Sequence, residues 1–405
     1  MKQKLYRPFG AWRLLLAIFV MVQHLGINLG TSDLRAITAY WVPGTIAVPV
    51  FFALSGFVIV EAAHRFYAKR PLQFIANRAL RILPLYFVTL AISIAAIAIA
   101  LSCGTEETMY SDVNAEAISL PNIVAHLYAL VPTQLPLTTF EIVPVFWAVR
   151  VEIVFYLAVG IAIAAARPLR LPFPPIILGM VLASAGTAIA FSGHTNTLYR
   201  LWASFAIQFA IGAAMYLACT WDRNFRAAMT ALAGTLLGLT VCLSDDMFQW
   251  TVADANRLRI TATFVAMLAF TFSLLLVKLK EQWERVDQRL GELSYPLYLL
   301  HIPVAILTKL VLGSSTSSVG VAAALSLVAA YFVNNSVERS VRRLRDSLRG
   351  FAIAPDPQPT LPDEPVRPVI NNRHPIRTST GDDARESDRS RVMDEGAIAT
   401  SRARW

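Results

Sequence analysis

The chain has 405 residues, 56% of them apolar and only 16% charged, where an average globular protein carries roughly a quarter charged. A formal charge of +9 would raise nucleic acid as a partner of a soluble protein, but the excess sits in the apolar part. Residues 351–405 hold eight basic and nine acidic side chains, whereas residues 1–350 hold 28 and 18. Neither a nucleic-acid partner nor a disulfide scaffold is therefore expected, since Cys103, Cys219 and Cys242 are too few to staple this length.

A helix needs about 20 apolar residues to cross a hydrocarbon core of ~30 Å. In chain order, the segments that meet this are 11–30, 43–60, 82–103, 144–165, 175–192, 200–219, 227–244, 259–279, 291–312 and 318–335. Lys2, Lys4 and Arg7 precede the first as they would precede a signal peptide, but no small-residue cleavage pattern follows, so a retained helix is expected. With the N-terminus placed in the cytoplasm, 21 basic residues fall on inner segments and four, Arg35, Arg200, Arg257 and Arg259, on outer ones. The long outer loop 104–143 contains Glu106, Glu107, Asp112, Glu116 and Glu141 and no lysine or arginine.

The expected fold class is all-α: a polytopic integral membrane helix bundle of about ten transmembrane helices with both termini cytoplasmic, multi-pass in the cytoplasmic (inner) membrane. Residues 1–345 form the membrane domain. Residues 346–405, rich in proline from Pro355 onward and mixed in charge, cannot bury a core and are expected to be a disordered cytoplasmic tail.

Ionisable groups inside spans cost several kcal/mol unless partnered, and so mark function. Arg13 and His24 lie eleven residues apart in the first span, close to three turns, on nearly one face and about 16 Å apart. Arg13 also suits a snorkelling anchor at the cytoplasmic edge, and His24 a polar packing contact; histidine is equally the side chain suited to proton transfer near neutrality. Arg78 and Arg81 share a helical face, and their guanidinium forks suit phosphate as well as inner-surface anchoring.

Glu152, in Phe146-Trp147-Ala148-Val149-Arg150-Val151-Glu152 with Phe155 and Tyr156 following, enters a span as a carboxylate whose partner must come from another helix, with His24 or an arginine in view. In Ser294-Tyr295-Pro296-Leu297-Tyr298-Leu299-Leu300-His301, Tyr298 and His301 share a face, and the prolines open the helix as in cavity-lining spans. His64, His126, His194 and His374 fall in loops or the tail, where a solvated role is expected. Ser55 and Gly56 let two helices approach closely. There is no Walker A loop, dinucleotide fingerprint or metal-ligand spacing, so no bound cofactor or metal is expected.

In this order the motifs resemble the bacterial membrane acyltransferase-3 family: Arg13 and His24, Phe51-Phe52-Ala53-Leu54-Ser55-Gly56-Phe57, Arg78 and Arg81 with Pro84 and Tyr86, Trp147 with Glu152, Phe155 and Tyr156, then Ser294-Tyr295 with Tyr298 and His301, and Val337-Glu338 at the close. The resemblance covers about residues 5–345. It implies an acyl-CoA-dependent O-acyltransferase that moves an acyl group, usually acetyl, to a hydroxyl of a cell-envelope glycan or glycolipid, of exopolysaccharide or O-antigen type. Carried over by position, His24 is the catalytic histidine, Arg13 its motif partner, and Arg78 and Arg81 the arginine pair linked to donor binding. In the mechanism expected from the residues, His24 acts as general base or acyl relay, with Glu152 and His301 to orient or partner it. Arg13 joins Arg78 and Arg81 in holding the donor, and Trp147, Tyr156, Ser294 and Tyr298 are expected to shape and orient the cavity. The other reading of the buried His and Glu residues is a proton-coupled multi-pass transporter, although no inverted repeat is evident.

Overall fold

A computed structural model describes residues 6–67, 70–104, 115–128, 141–169, 173–190, 197–220, 223–242 and 257–349. Among them the chain is helical throughout, with no strand. Twelve α-helices follow in order: α1 Gly10–Leu29, α2 Ser32–Trp41, α3 Pro43–Phe66, α4 Pro71–Ser102, α5 Leu120–Tyr128, α6 Phe146–Leu169, α7 Phe173–Ala190, α8 Thr197–Thr220, α9 Arg223–Cys242, α10 Arg257–Ser273, α11 Glu281–Leu312 and α12 Thr316–Arg349. Among the described residues, eight helices are long and apolar enough to cross a membrane: α1, α3 with α2 leading into it, α4, α6, α9, α10, α11 and α12. Shorter apolar stretches lie in α7 (Ile176–Thr187) and α8 (Phe205–Thr220). Every segment expected to span thus has a helix over it, two of them with shorter described apolar runs. The last helix runs to Arg349; the proposed tail beyond it lies outside the described residues.

The helix boundaries follow local chemistry. Pro43 and Pro71 stand at the first turns of α3 and α4, where a missing N–H costs nothing. Val42, between α2 and α3, is left-handed at φ 41°, which is rare for a β-branched residue. The corner it makes is held from α1: Gly44 N–H and Thr45 N–H donate to Gln23 Oε1 at 2.7 and 3.0 Å, so a side chain of one helix caps the next. Pro49, Pro84, Pro296 and Pro303 sit inside helices, as membrane helices tolerate.

Two pairings position the interior. α3 and α8 cross backbone to backbone, where a Cβ on Gly56 would stand 2.2 Å from the Phe209 carbonyl oxygen and one on Gly212 only 1.8 Å from that of Ala53. α1 packs along α11, which also lies against α4 and α12. Trp12 Nε1 donates to Thr271 Oγ1 of α10 at 2.8 Å, and Arg259 of α10 donates to the Tyr40 carbonyl oxygen and stacks on the Tyr40 ring. The outward faces remain apolar, with Ile161, Leu182, Phe270, Val328 and Phe332 exposed, as a surface meant for lipid should be.

Candidate functional site

Polar groups concentrate in three linked places. The first is a cavity of about 500 Å³ at the end of the bundle where α1 and α11 begin, walled by α1, α3, α4, α11 and α12. Arg7, Arg13, Arg65, Arg81, Arg342 and Arg345 line it against the carboxylates Glu61, Glu292 and Asp346. Glu61 is held by Arg65 at 3.2 Å and Arg7 at 3.7 Å, and Glu292 by Arg342 at 3.3 Å. Arg13 and Arg81 make no hydrogen bond or ion pair with a protein side chain or carbonyl among the described residues. Their charges face open volume.

The second is a small inner cavity of about 30 Å³, which shares Arg13, Val58, Arg81 and Tyr295 with the first. It adds Ser55, Arg78, Glu152 and Tyr156. Glu152 accepts from the Tyr156 hydroxyl at 2.5 Å and from Ser55 Oγ at 3.3 Å. Its partners are therefore hydroxyls of α6 and α3, with the three arginines around the same cavity; His24 is not among the groups that line it. Arg78, 4% exposed, lies over the rings of Phe74 and Tyr156 at 5.4 and 5.5 Å. Three guanidiniums against one carboxylate leave an interior that favours an anion.

The third is the meeting of α1 and α11. His24 Nδ1 lies 2.8 Å from His301 Nε2, and His301 Nδ1 lies 3.2 Å from the Leu297 carbonyl oxygen. A carbonyl only accepts, so His301 Nδ1 carries a proton and the neutral ring presents its lone pair at Nε2. His24 Nδ1–H donates to that lone pair, which leaves the basic lone pair of His24 on Nε2. The rings are stacked, 16° apart in plane with centroids at 5.1 Å. His301 is fully buried, and His24 is half-buried.

The structure thus gathers Arg13, Arg78, Arg81, Glu152 and Tyr156 at one cavity and His24 with His301 at another level of the same helix pair. Trp147 joins neither; it packs against Phe52 and Phe205, with ring centroids at 6.4 and 5.7 Å. Ser294 is buried and donates to the Gly291 carbonyl oxygen of its own helix at 2.8 Å, a packing role. Tyr298 donates to the Val145 carbonyl oxygen at 2.7 Å, tying α11 to the chain just before α6, with its ring 6.3 Å from that of His301.

Of the histidines expected to be solvated, His126 is buried, at 4% exposure, by packing against neighbouring elements, while His64 is part-buried with Nδ1 2.7 Å from the Tyr216 hydroxyl. His194 and His374 lie outside the described residues. Arg65, Arg342 and Arg345, counted only as topology signals in the sequence, prove to line the large cavity. No group of three His, Cys, Asp or Glu suited to a metal occurs among the described residues.

Over 161 residues the chain is 30% identical to the exopolysaccharide production protein ExoZ of Rhizobium meliloti (strain 1021), a stretch covering 38% of this chain and 45% of that protein. No solved structure matches. The family model described as an acyltransferase domain matches residues 9–334, from the residue before α1 to just past the middle of α12. Matched over most of its length and built of long apolar helices, the chain is a multi-pass bacterial membrane protein and belongs to the acyltransferase-3 family.

Proposed function

We propose that this acyltransferase transfers an acetyl group from cytoplasmic acetyl-CoA to a hydroxyl of an envelope glycan of the exopolysaccharide type, within a bundle of about ten spans whose termini both face the cytoplasm. The observation that carries the donor is the pair Arg13 and Arg81, unpaired and facing both cavities at the end of α1 that the positive-inside pattern assigns to the cytoplasm. Phosphates of a CoA thioester supply the missing anions, and Arg78 adds a third guanidinium further in. From there His24 lies eleven residues along α1, or about 16 Å, a span that a pantetheine arm can cover. The glycan acceptor rests on the exopolysaccharide protein matched over part of its length.

In the transfer step, His24 Nε2 takes the proton of the acceptor hydroxyl as its oxygen attacks the thioester carbonyl. The C–S bond breaks, and the departing thiolate takes the proton from His24. The variant in which His24 Nε2 itself carries the acyl group uses the same lone pair. His301 orients that lone pair by accepting from Nδ1–H, and its lone pair supports the charge that develops on the ring; general base catalysis of this kind contributes typically 10²–10⁴-fold. Glu152, held by Tyr156 and Ser55, balances part of the positive charge at the inner cavity rather than contacting His24. Membership of an acyltransferase family weighs against the carrier reading.

The test is transfer of labelled acetyl from acetyl-CoA to envelope glycan by membranes containing the full chain. His24→Ala is expected to lower the rate by about 10²-fold or more. Undiminished transfer in that variant removes His24 from the reaction.

A further inference from the structure

The first turn of α1 has no cap of its own. Phe9 occupies the N-cap position and offers no acceptor, although the first N–H groups of a helix have no partner within it. The acceptor comes from α11. Gly10 N–H donates to Asp287 Oδ2 at 2.8 Å, Ala11 N–H to Asp287 Oδ1 at 2.7 Å, and the Tyr6 hydroxyl to Oδ2 at 2.7 Å. A carboxylate there also complements the positive end of the helix dipole. At the same level the two backbones touch: a Cβ on Gly10 would stand 1.7 Å from the Asp287 carbonyl oxygen, and one on Gly291 2.7 Å from the Gly10 Cα.

The spacing of these contacts links them to the histidines. Gly10 precedes His24 by 14 residues, and Asp287 precedes His301 by 14. Contacts in the same order along both chains mean that α1 and α11 run parallel. Fourteen residues is two heptads, so both contacts fall on one seam, about 21 Å apart. A slip of one residue at the Asp287 end would move one ring by about 1.5 Å and rotate it by about 100°, which breaks a 2.8 Å nitrogen–nitrogen contact.

We propose that Asp287 is a positioning residue of the acyltransferase: by capping α1 from α11 it fixes the register in which His24 meets His301. The proposal rests on the role given to the two histidines above. Asp287 is almost fully buried and its oxygens are engaged by three donors, so it acts through the helix pair and not on a substrate.

A register lock has a signature that a general loss of stability lacks. In the native pair both imidazoles carry the proton on Nδ1, the less common tautomer in water, and ¹⁵N NMR of ring-labelled protein in nanodiscs reads this directly. Asp287→Asn, which keeps one acceptor and loses the charge, is expected to restore signal from the Nε2–H form at His24 and His301 while the chain stays folded. In membranes, acetyl-CoA turnover should fall roughly 10- to 100-fold, as misplacement by about 1 Å does, with KM for acetyl-CoA changing far less. On a His301→Ala background the same substitution should cost about twofold or less, because the contact it protects is already gone.

Should Asp287→Asn fail to fold, Tyr6→Phe removes one of the three donors and leaves both backbone caps, and the same shift is expected at smaller size. Unchanged tautomers in the folded variant overturn the register lock, as do equal losses of turnover in both backgrounds. The NMR result does not depend on activity, so failure of the lock stays distinct from failure of the reaction, which His24→Ala tests.

Discussion

His126 has both ring nitrogens committed. Nδ1–H donates to the Asn122 carbonyl oxygen at 2.8 Å, and Nε2 accepts from Ile142 N–H at 3.0 Å. The Tyr86 hydroxyl donates to the His126 carbonyl oxygen at 2.9 Å, so α5 and the chain before α6 are latched to α4. Only the neutral ring can accept from Ile142. Burial holds its pKa below the ordinary histidine value; the hydrogen bond to Asn122 opposes this in part and the Arg150 guanidinium adds to it. Glu141, which pairs with Arg150 at 3.5 Å, is the nearby carboxylate, and burial raises its own pKa.

A depressed histidine pKa makes the folded state bind fewer protons than the unfolded one. The latch is therefore at full strength above the unfolded value of about 6.5 and is lost as pH falls below it. Hydrogen exchange at the Ile142 amide and across 120–128, corrected for intrinsic rates, should be slow at pH 7.5 and faster at pH 5.5. In His126→Ala it should be fast at both, by an amount near the ~1–3 kcal/mol for an unsatisfied buried N–H. Protection in wild type that does not change with pH would contradict the latch.

Among the elements, the α3–α8 crossing brings backbones into contact, as does that of α1 and α11. Small residues allow helices in a bilayer to associate through van der Waals contact, since lipid offers no hydrophobic drive. Gly56 and Gly212 do this here. A methyl group on Gly212 meets main chain rather than a flexible side-chain tip, so relief requires α3 and α8 to move apart. Gly212→Ala is expected to destabilise by about 1–3 kcal/mol, as overpacking does, and to lower the thermal midpoint of the purified protein. Gly234, with nothing within 4 Å of an added Cβ, supplies the control: alanine there should leave the midpoint unchanged or raise it. Equal midpoints for the two variants would refute the close crossing as a source of stability.

For the whole membrane unit, charge is arranged along the bundle axis. The large cavity carries six arginines against three carboxylates, and the inner cavity three against one. Such an excess in a low-dielectric interior is stabilised by a bound anion, and a ligand at 100 times its Kd adds about 2.7 kcal/mol to folded-state stability. CoA is therefore expected to raise the thermal midpoint of the purified protein, less so at high salt. Arg13→Gln and Arg81→Gln should each weaken this protection by about tenfold in apparent Kd, the equivalent of about 1.4 kcal/mol. Protection by CoA that survives both substitutions would move the donor elsewhere.

Much of this was legible in the sequence. Composition and apolar run length placed a helix over every expected span, because the transfer energy of a segment depends only on the residues within it. The rarity of ionisable groups in lipid singled out Arg13, His24, Arg81, Glu152 and His301, and the order of the motifs carried the family. The contacts between these groups were not legible. Glu152 was expected to seek His24 or an arginine; it accepts from Tyr156 and Ser55 beside a cavity that Arg13, Arg78 and Arg81 also line, while His24 meets His301 across 277 positions. Asp287 escaped notice because a carboxylate in the first turns of a long helix reads as solvated; the faint signal was Phe9, a residue unable to cap, at the start of α1. Sequence determined which groups could not be left in lipid alone. Only the tertiary structure decided which of them meet, because that depends on helix register and close approach, set by a few glycines and one carboxylate far apart in the chain.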